Sequence, residues 1–389
     1  MFTKKILVAV IFALSFFVLK TNAQTATTFV TGLRSPVKII YSQRDRHFLV
    51  SEAGSAGATN NGRVSIVNTN GSVTTLIDNL PSGPAAPNND PSGPAALWLN
   101  DNSLYIAIGN GNATLAGPAP GSEIPNPNPA SPLFSSVLEL RMPAASDLLN
   151  QSVLFPFRIQ PADHVRLANG ETISFGFGRF PASLRMVANF PDFTPSFRPD
   201  VPNNVRPSNP FGLVGFGNKL YVADAAQNNI RSINLVSGQT EVFFTYPPRP
   251  NPAAPPPFVD AVPDSLRLFG NTLLITFLTG FPFPAGRADV RQIDLESGAD
   301  SQFIGGLSSA IDVLPVSSGF CNSFYTLEFS TSMTTGAPGR LQRFDSPGGA
   351  PTVISGSLIT PTSMARNPSN GDLLITEVGP GRITRISFP

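Results

Sequence analysis

Four carboxylates recur at one place in a repeated pattern. Each closes a short apolar run ending in a small residue or its near equivalent: Phe48-Leu49-Val50-Ser51-Glu52, Leu220-Tyr221-Val222-Ala223-Asp224, Phe324-Tyr325-Thr326-Leu327-Glu328 and Leu373-Leu374-Ile375-Thr376-Glu377. Gathered at one end of a repeat, such acids could hold a divalent cation such as calcium, which takes about six to eight oxygen ligands. Alternatively, each could accept backbone N–H bonds at a turn. The turn role is favoured, because the position recurs with the repeat and a ligand set need not. Other reactive chemistry is sparse. His47 and His164 are the only histidines and neither has a histidine partner nearby in the chain. Cys321 is the single cysteine; with no histidine beside it to activate a thiolate, it is expected as a small buried hydrophobe. There is no Gly-x-Ser-x-Gly elbow, Walker loop or Cys/His metal spacing. Gly109-Asn110-Gly111-Asn112 precedes no helical pattern and reads as a turn rather than a phosphate cradle. The loop Phe277 to Pro284 carries proline-stiffened aromatics, among them Phe281 and Phe283, that could stack on a flat apolar ligand or fold down as a lid,.

The elements that position these residues follow from composition and period. With 40 prolines in 389 residues the chain is not helix-rich, because an interior proline costs a helix about 3 kcal/mol. Its 41% hydrophobic content, including 30 phenylalanines, supplies a large core,. The apolar run recurs six times, with Leu104-Tyr105-Ile106-Ala107-Ile108 and Leu273-Leu274-Ile275-Thr276-Phe277 as the two copies lacking the acid. An alternating strand follows each clear copy, as in Gly62-Arg63-Val64-Ser65-Ile66. Another strand precedes each, opened by Pro36, Pro94, Pro210, Pro263 and Pro361, with Ala310 in that place in the fifth. Most copies lie about 50 residues apart, the length of a four-stranded propeller blade,. The expected fold is all-β: a six-bladed β-propeller in which residues 24–389 form one domain. The last copy stops after its third strand, and Thr27-Thr28-Phe29-Val30 is an orphan strand that would close the ring and remove two sheet edges,. An interval of about 116 residues separates the second and third copies; it is read as one blade with a long excursion near 141–180, not as a seventh blade.

Residues 1–23 read as a signal peptide: Lys4 and Lys5, an apolar run from Ile6 to Leu19, then Thr21-Asn22-Ala23,. The remainder is expected to be secreted, or periplasmic in a Gram-negative host, without stable membrane insertion and monomeric. Asn70, Asn112 and Asn150 are glycosylation acceptors if the host modifies exported proteins,. A balance of 26 basic and 25 acidic residues excludes the basic footprint of a nucleic-acid binder,.

The stretch from Ser208-Asn209-Pro210-Phe211-Gly212 through Leu220-Tyr221-Val222-Ala223-Asp224-Ala225 to Asn229 resembles the NHL-type and SMP-30-like propeller repeat. More specifically, Leu278-Thr279-Gly280-Phe281-Pro282-Phe283-Pro284-Ala285-Gly286, with Ala288-Asp289-Val290 and Gly32-Leu33-Arg34-Ser35-Pro36, resembles the ScyD/ScyE family of exported propellers. That likeness implies a six-bladed exported ring and little chemistry. Its leading functional reading is a secreted, non-catalytic binding or scaffold protein. One loop face, with Phe211, Phe281, Phe283 and Phe329, would take a small aromatic molecule or a protein partner. The alternative is a metal-dependent hydrolase of the SMP-30-like lactonase type. Asn209 and Asp264 stand at places resembling that family's metal-binding asparagine and aspartate, where a metal polarises a lactone carbonyl. The family's acid in the first blade corresponds to about Arg34, which cannot ligate a cation.

Overall fold

The computed structural model describes residues 24–142, 156–176, 182–251, 255–319 and 321–388. The expected signal peptide 1–23 and the acceptor Asn150 lie outside the described residues.

Every apolar run forms the second strand of an antiparallel sheet. In blade 3 the order is Pro210–Phe216, Lys219–Asp224, Asn229–Asn234 and Thr240–Thr245. The second strand is buried along nearly its whole length, while the fourth is mostly exposed. That gradient explains why the second strands are continuous in Val, Leu, Ile and aromatic residues: both of their faces meet neighbouring blades. Blades 1, 4 and 5 repeat the arrangement, beginning at Pro36–Ser42, Pro263–Phe269 and Ala310–Ser318. The first strands touch one another in cyclic order, blades 1 to 6 and back to 1, and so line the axis of a six-bladed β-propeller. Blade 6 contributes Pro361–Arg366, Leu373–Glu377 and Arg382–Ser387, and Thr25–Val30 pairs antiparallel with the last of these as its fourth strand. The ring therefore closes as expected.

The five prolines each occupy the first residue of an innermost strand, an edge position where a missing N–H leaves no ladder bond unmade,. In all six blades the register then shifts between the first and second strands. Such an irregularity re-aims the side chain behind it. The residues so placed are Val37, Ala95, Phe211, Asp264, Ile311 and Thr362, which puts one from each blade at the same level of the axis.

Blade 2 absorbs the long interval, in more than one place. Its strands are Pro94–Asn100, Ser103–Ile108, Ser136–Arg141 and Ala182–Asn189, with Ile173–Phe175 added outside. One insertion, 109–135, lies between its second and third strands, and the excursion lies between its third and fourth. Within the excursion, Phe157–Arg158 adds in parallel to the outer strand of blade 1, at Ile77 and Asp78. The helix Pro161–Ala168 follows, and its buried His164 joins Asn79 O through Nε2 at 3.0 Å and Ser131 Oγ through Nδ1 at 2.9 Å. His164 thus ties the excursion to the outer strand of blade 1 and to the 109–135 insertion, with its pKa lowered by burial. His47 opens a second strand and is 3% exposed. Cys321, expected inside, is exposed: it sits at the start of a long hairpin strand that projects beyond the packed part of blade 5.

Candidate ligand-binding cleft on the loop face

The four recurrent acids are fully buried, and each is spent on its own blade. Glu52 accepts from Arg34 N at 2.5 Å, Arg63 Nε at 2.8 Å and Ser65 Oγ at 2.5 Å. Asp224 accepts from Asn209 N at 2.7 Å, Ser208 Oγ at 2.5 Å and Arg231 Nε at 3.0 Å. Glu328 takes Ser308 N at 2.7 Å and Arg340 Nε at 2.5 Å, and Glu377 takes Ile359 N at 3.1 Å together with Arg382 Nε. Each acid therefore pins the segment leading into the first strand to an arginine of the third. This is the turn-bonding role, with a recurrent arginine added to it. Among the described residues no three His, Cys, Asp or Glu side chains gather at a potential metal site.

The loop face carries two adjoining concavities of about 340 and 330 Å³. Both are lined by Glu123, Pro207, Asn209 and Ala226, so they form one cleft with these residues at its waist. A cleft of this size is in the range that small ligands occupy, about 300–1,000 Å³. Three short hairpins raise its walls: Gly83–Ala85 with Asp90–Ser92, Thr114–Ala116 with Glu123–Pro125, and Phe193–Pro195 with Val205–Pro207. One lobe presents Asn204, Arg206 and Asp260, the last two joined at 2.8 Å. The other presents Asn110 and Ser92 beside Phe211, Val37, Ala53 and Ala95. Glu123 accepts from Thr114 Oγ1 at 2.6 Å, and burial raises its carboxyl pKa.

Asn209 is fixed by its place just before Pro210, with its own N–H on Asp224. Its Oδ1 receives the Asn110 N–H at 3.4 Å, a long bond, and a Cβ at Gly109 would stand 2.9 Å from that oxygen. Glycine at 109 therefore lets the backbone close over the amide. Phe211 packs with the Val37, Ala53 and Ala95 cluster on one side and shares the Ile311 cluster with Leu278 and Phe329 on the other. Phe281 and Phe283 instead pair edge to face with each other, centroids 6.0 Å apart, and Phe281 is 69% exposed. Neither lines the cleft.

Asp264 is buried at the equivalent position to Phe211, one blade on. Its Oδ2 has no hydrogen-bond partner, and burial drives its pKa well up. No hydrogen bond joins it to Asn209, and it lines neither lobe. Arg34, at the place where the lactonase resemblance calls for an acid, pairs with Asp78 at 3.1 Å. Of that ligand set, the place of the first-blade acid is held by an arginine that is itself paired.

Sequence reasoning missed Glu123, Asn110, Arg206 and the hairpins that carry them. Their signal was the clustering of Pro, Gly, Asn and Ser in 81–94, 109–135 and 191–209, which marks turns without saying where they fold.

No protein-family model matches the chain, and no curated protein matches it either. Solved structures share its fold. An auxiliary nutrient binding protein from Bacteroides thetaiotaomicron has a TM-score of 0.53 at 10% identity, covering 94% of this chain and 76% of that one. One of the same description from Bacteroides ovatus has a TM-score of 0.51 at 11% identity, covering 94% and 77%. A gluconolactonase from Xanthomonas campestris has a TM-score of 0.47 at 12% identity, covering 94% and 90%. At these identities the two Bacteroides structures show a likeness of fold alone.

Proposed function

We propose that the protein is an exported, non-catalytic binding propeller of the ScyD/ScyE type. Its loop-face cleft takes a small neutral molecule with one apolar face and a hydrogen-bonding edge, as in phenols and indoles. The observation that carries this reading is the waist of the cleft. Asn209 and Glu123 offer amide and carboxyl groups to both lobes, while Phe211 supplies an aromatic surface beside them. A ligand there would stack on Phe211 and exchange hydrogen bonds with Asn209 and Asn110. The name of the two Bacteroides propellers, nutrient binding, is compatible with such a role.

The test is a thermal-shift titration of the mature chain with phenol, indole and methyl glucoside, repeated on Asn209→Leu and Phe211→Ala. Binding of phenol or indole, weakened about tenfold in each variant, supports the reading, whereas binding of methyl glucoside alone overturns it. The reading fails if no probe binds, or if both variants bind as the native chain does.

The lactonase reading retains one observation in its favour, the unpartnered Oδ2 of the Asp264 carboxyl. Melting in calcium, zinc and manganese separates the two. A cation-dependent rise that Asp264→Ala abolishes would establish a metal site and count against the purely binding role.

A further inference from the structure

A second cavity lies toward the opposite end of the axis from the loop face. It measures about 190 Å³ and is bounded by the first strands of blades 1 to 4. Its walls are apolar, built from Leu97, Trp98, Leu213 and Leu266 among others, and two cations, Lys38 and Arg267, also line it. Trp98 is set there by Gly215 of the next blade, where a Cβ would stand 2.2 Å from the indole.

The charges in this region do not balance. Lys38 lies 3.5 Å from Asp312 and Arg267 bonds the same carboxylate at 2.6 Å. Among the described residues these are the ion pairs recorded for either cation, so two positive charges share one negative. Asp312 is fully buried and its oxygens are saturated by Ser265, Ser363 and the N–H groups of Val313 and Met364 as well. Lys38 donates to Ser265 Oγ at 2.9 Å and, over a long 3.5 Å, to Asp312 Oδ1, which leaves one ammonium proton unspent. Burial, with Arg267 nearby, pulls its pKa down to about 7. A buried cation in excess, facing an apolar hollow, is the complement of an anion with an apolar body.

We propose that this cavity binds a small hydrophobic monocarboxylate of about benzoate's size, its carboxylate on Lys38 and its ring against Trp98. Volume sets the size, since a cavity of about 150 Å³ admits benzene. Charge sets the valence, because one uncompensated positive charge balances one carboxylate. The apolar walls disfavour phosphate and sugar acids, whose remaining polar groups would go unpaired. The site is separate from the loop-face cleft and does not depend on its reading.

The experiment is calorimetric titration of the mature chain with sodium benzoate at about pH 6, below the lowered Lys38 value so that the ammonium is charged. Benzamide serves as the neutral isostere and Lys38→Gln as the variant. Saturable one-site benzoate binding is expected, about tenfold weaker or more for benzamide and for Lys38→Gln. Equal affinity for the two probes, unchanged affinity in Lys38→Gln, or no benzoate binding overturns the proposal. So does loss of benzoate binding in Phe211→Ala, which would place the ligand in the loop-face cleft. Should Lys38→Gln fail to fold, Leu99→Trp fills the cavity from its half-buried wall. That variant must abolish benzoate binding, and retention of it overturns the proposal.

Discussion

Asp312→Asn is the substitution that most directly tests how the axis is held together. The two oxygens of Asp312 accept from Ser265 Oγ at 2.6 Å, Arg267 Nε at 3.1 Å and Nη2 at 2.6 Å, Ser363 Oγ at 2.9 Å and Met364 N at 3.0 Å. With Lys38 these donors come from the first strands of blades 1, 4 and 6, so one carboxylate of blade 5 ties three neighbours across the axis. Burial alone would raise its pKa, but the Arg267 guanidinium and the Lys38 ammonium overcome that and hold it below the ordinary range. An asparagine keeps the shape, supplies one acceptor oxygen and turns an amide NH2, itself a donor, toward donors. It leaves Arg267 and Lys38 buried without a counter-ion. Removing one partner of a buried pair costs about 3–5 kcal/mol. With about 2.1 cal/mol/K of unfolding entropy per residue, a chain of 389 residues would melt roughly 4–6 °C lower,. Calorimetric melting of the native chain, Asp312→Asn and Asp312→Asn with Lys38→Met checks both size and cause. The double variant should recover part of the loss, since it deletes a stranded cation. If Asp312→Asn melts with the native chain, or if Lys38→Met adds to the damage in that background, the electrostatic account is wrong.

The acid–arginine ties and the orphan acid give two further expectations. In blade 3, Arg231→Ala strands Asp224 and should cost about 3 kcal/mol, whereas Lys219→Ala breaks an exposed, solvent-screened pair with Glu241 and should leave stability almost unchanged,. Equal losses in denaturant titrations would remove the distinction between them. Because burial holds the Asp264 carboxyl protonated above the ordinary range, the folded chain keeps a proton that the unfolded chain has released. Stability from this group therefore falls as pH rises from about 4 and levels off above the raised value. Asp264→Asn should thus gain in melting temperature over the native chain by more at about pH 8 than at about pH 4; the same difference at both would show that the carboxyl is not buried protonated.

Strand order, the proline at each innermost strand and the closing role of Thr25–Val30 were legible because they repeat, and a repeat is read by comparison within one chain. The acid at the end of the second strand was legible for the same reason. Its partner was visible too, in Arg63, Arg231 and Arg382, but an arginine on an alternating strand looks like an ordinary wet-face residue until the fold shows it turned inward. The Lys38–Asp312 contact was not legible. The two lie 274 residues apart in different repeats, each alone at its position, and only the geometry of the ring brings the strands together. Cys321 was misplaced because its strand continues past the packed part of the blade, and hairpin length is not encoded in the apolar run.

The candidate cleft was the least legible feature, and the reason is physical. A ring of six similar blades presents six similar sets of loops, and the innermost residue behind each strand opening is small or apolar in most of them. Such a surface is shallow. Depth and polarity come from the three hairpins that stand beside blades 2 and 3, and these belong to no repeat. They are held by local turn chemistry, by the Asn204 Oδ1 bond to Glu123 N at 3.0 Å, and by Asn110 closing on Asn209. Glu123 comes from the insertion within blade 2, while Asn204 and Asn209 come from the connection between blades 2 and 3, so neither segment predicts the other. The repeat supplies a rigid ring, and the departures from it around blade 2 decide where a ligand can be held. Selectivity for whatever the proposed cleft binds should therefore follow the hairpins: transplanting them onto another six-bladed ring would carry the polar waist only if Asn209 and Phe211, which open blade 3 of the ring, were present to meet them.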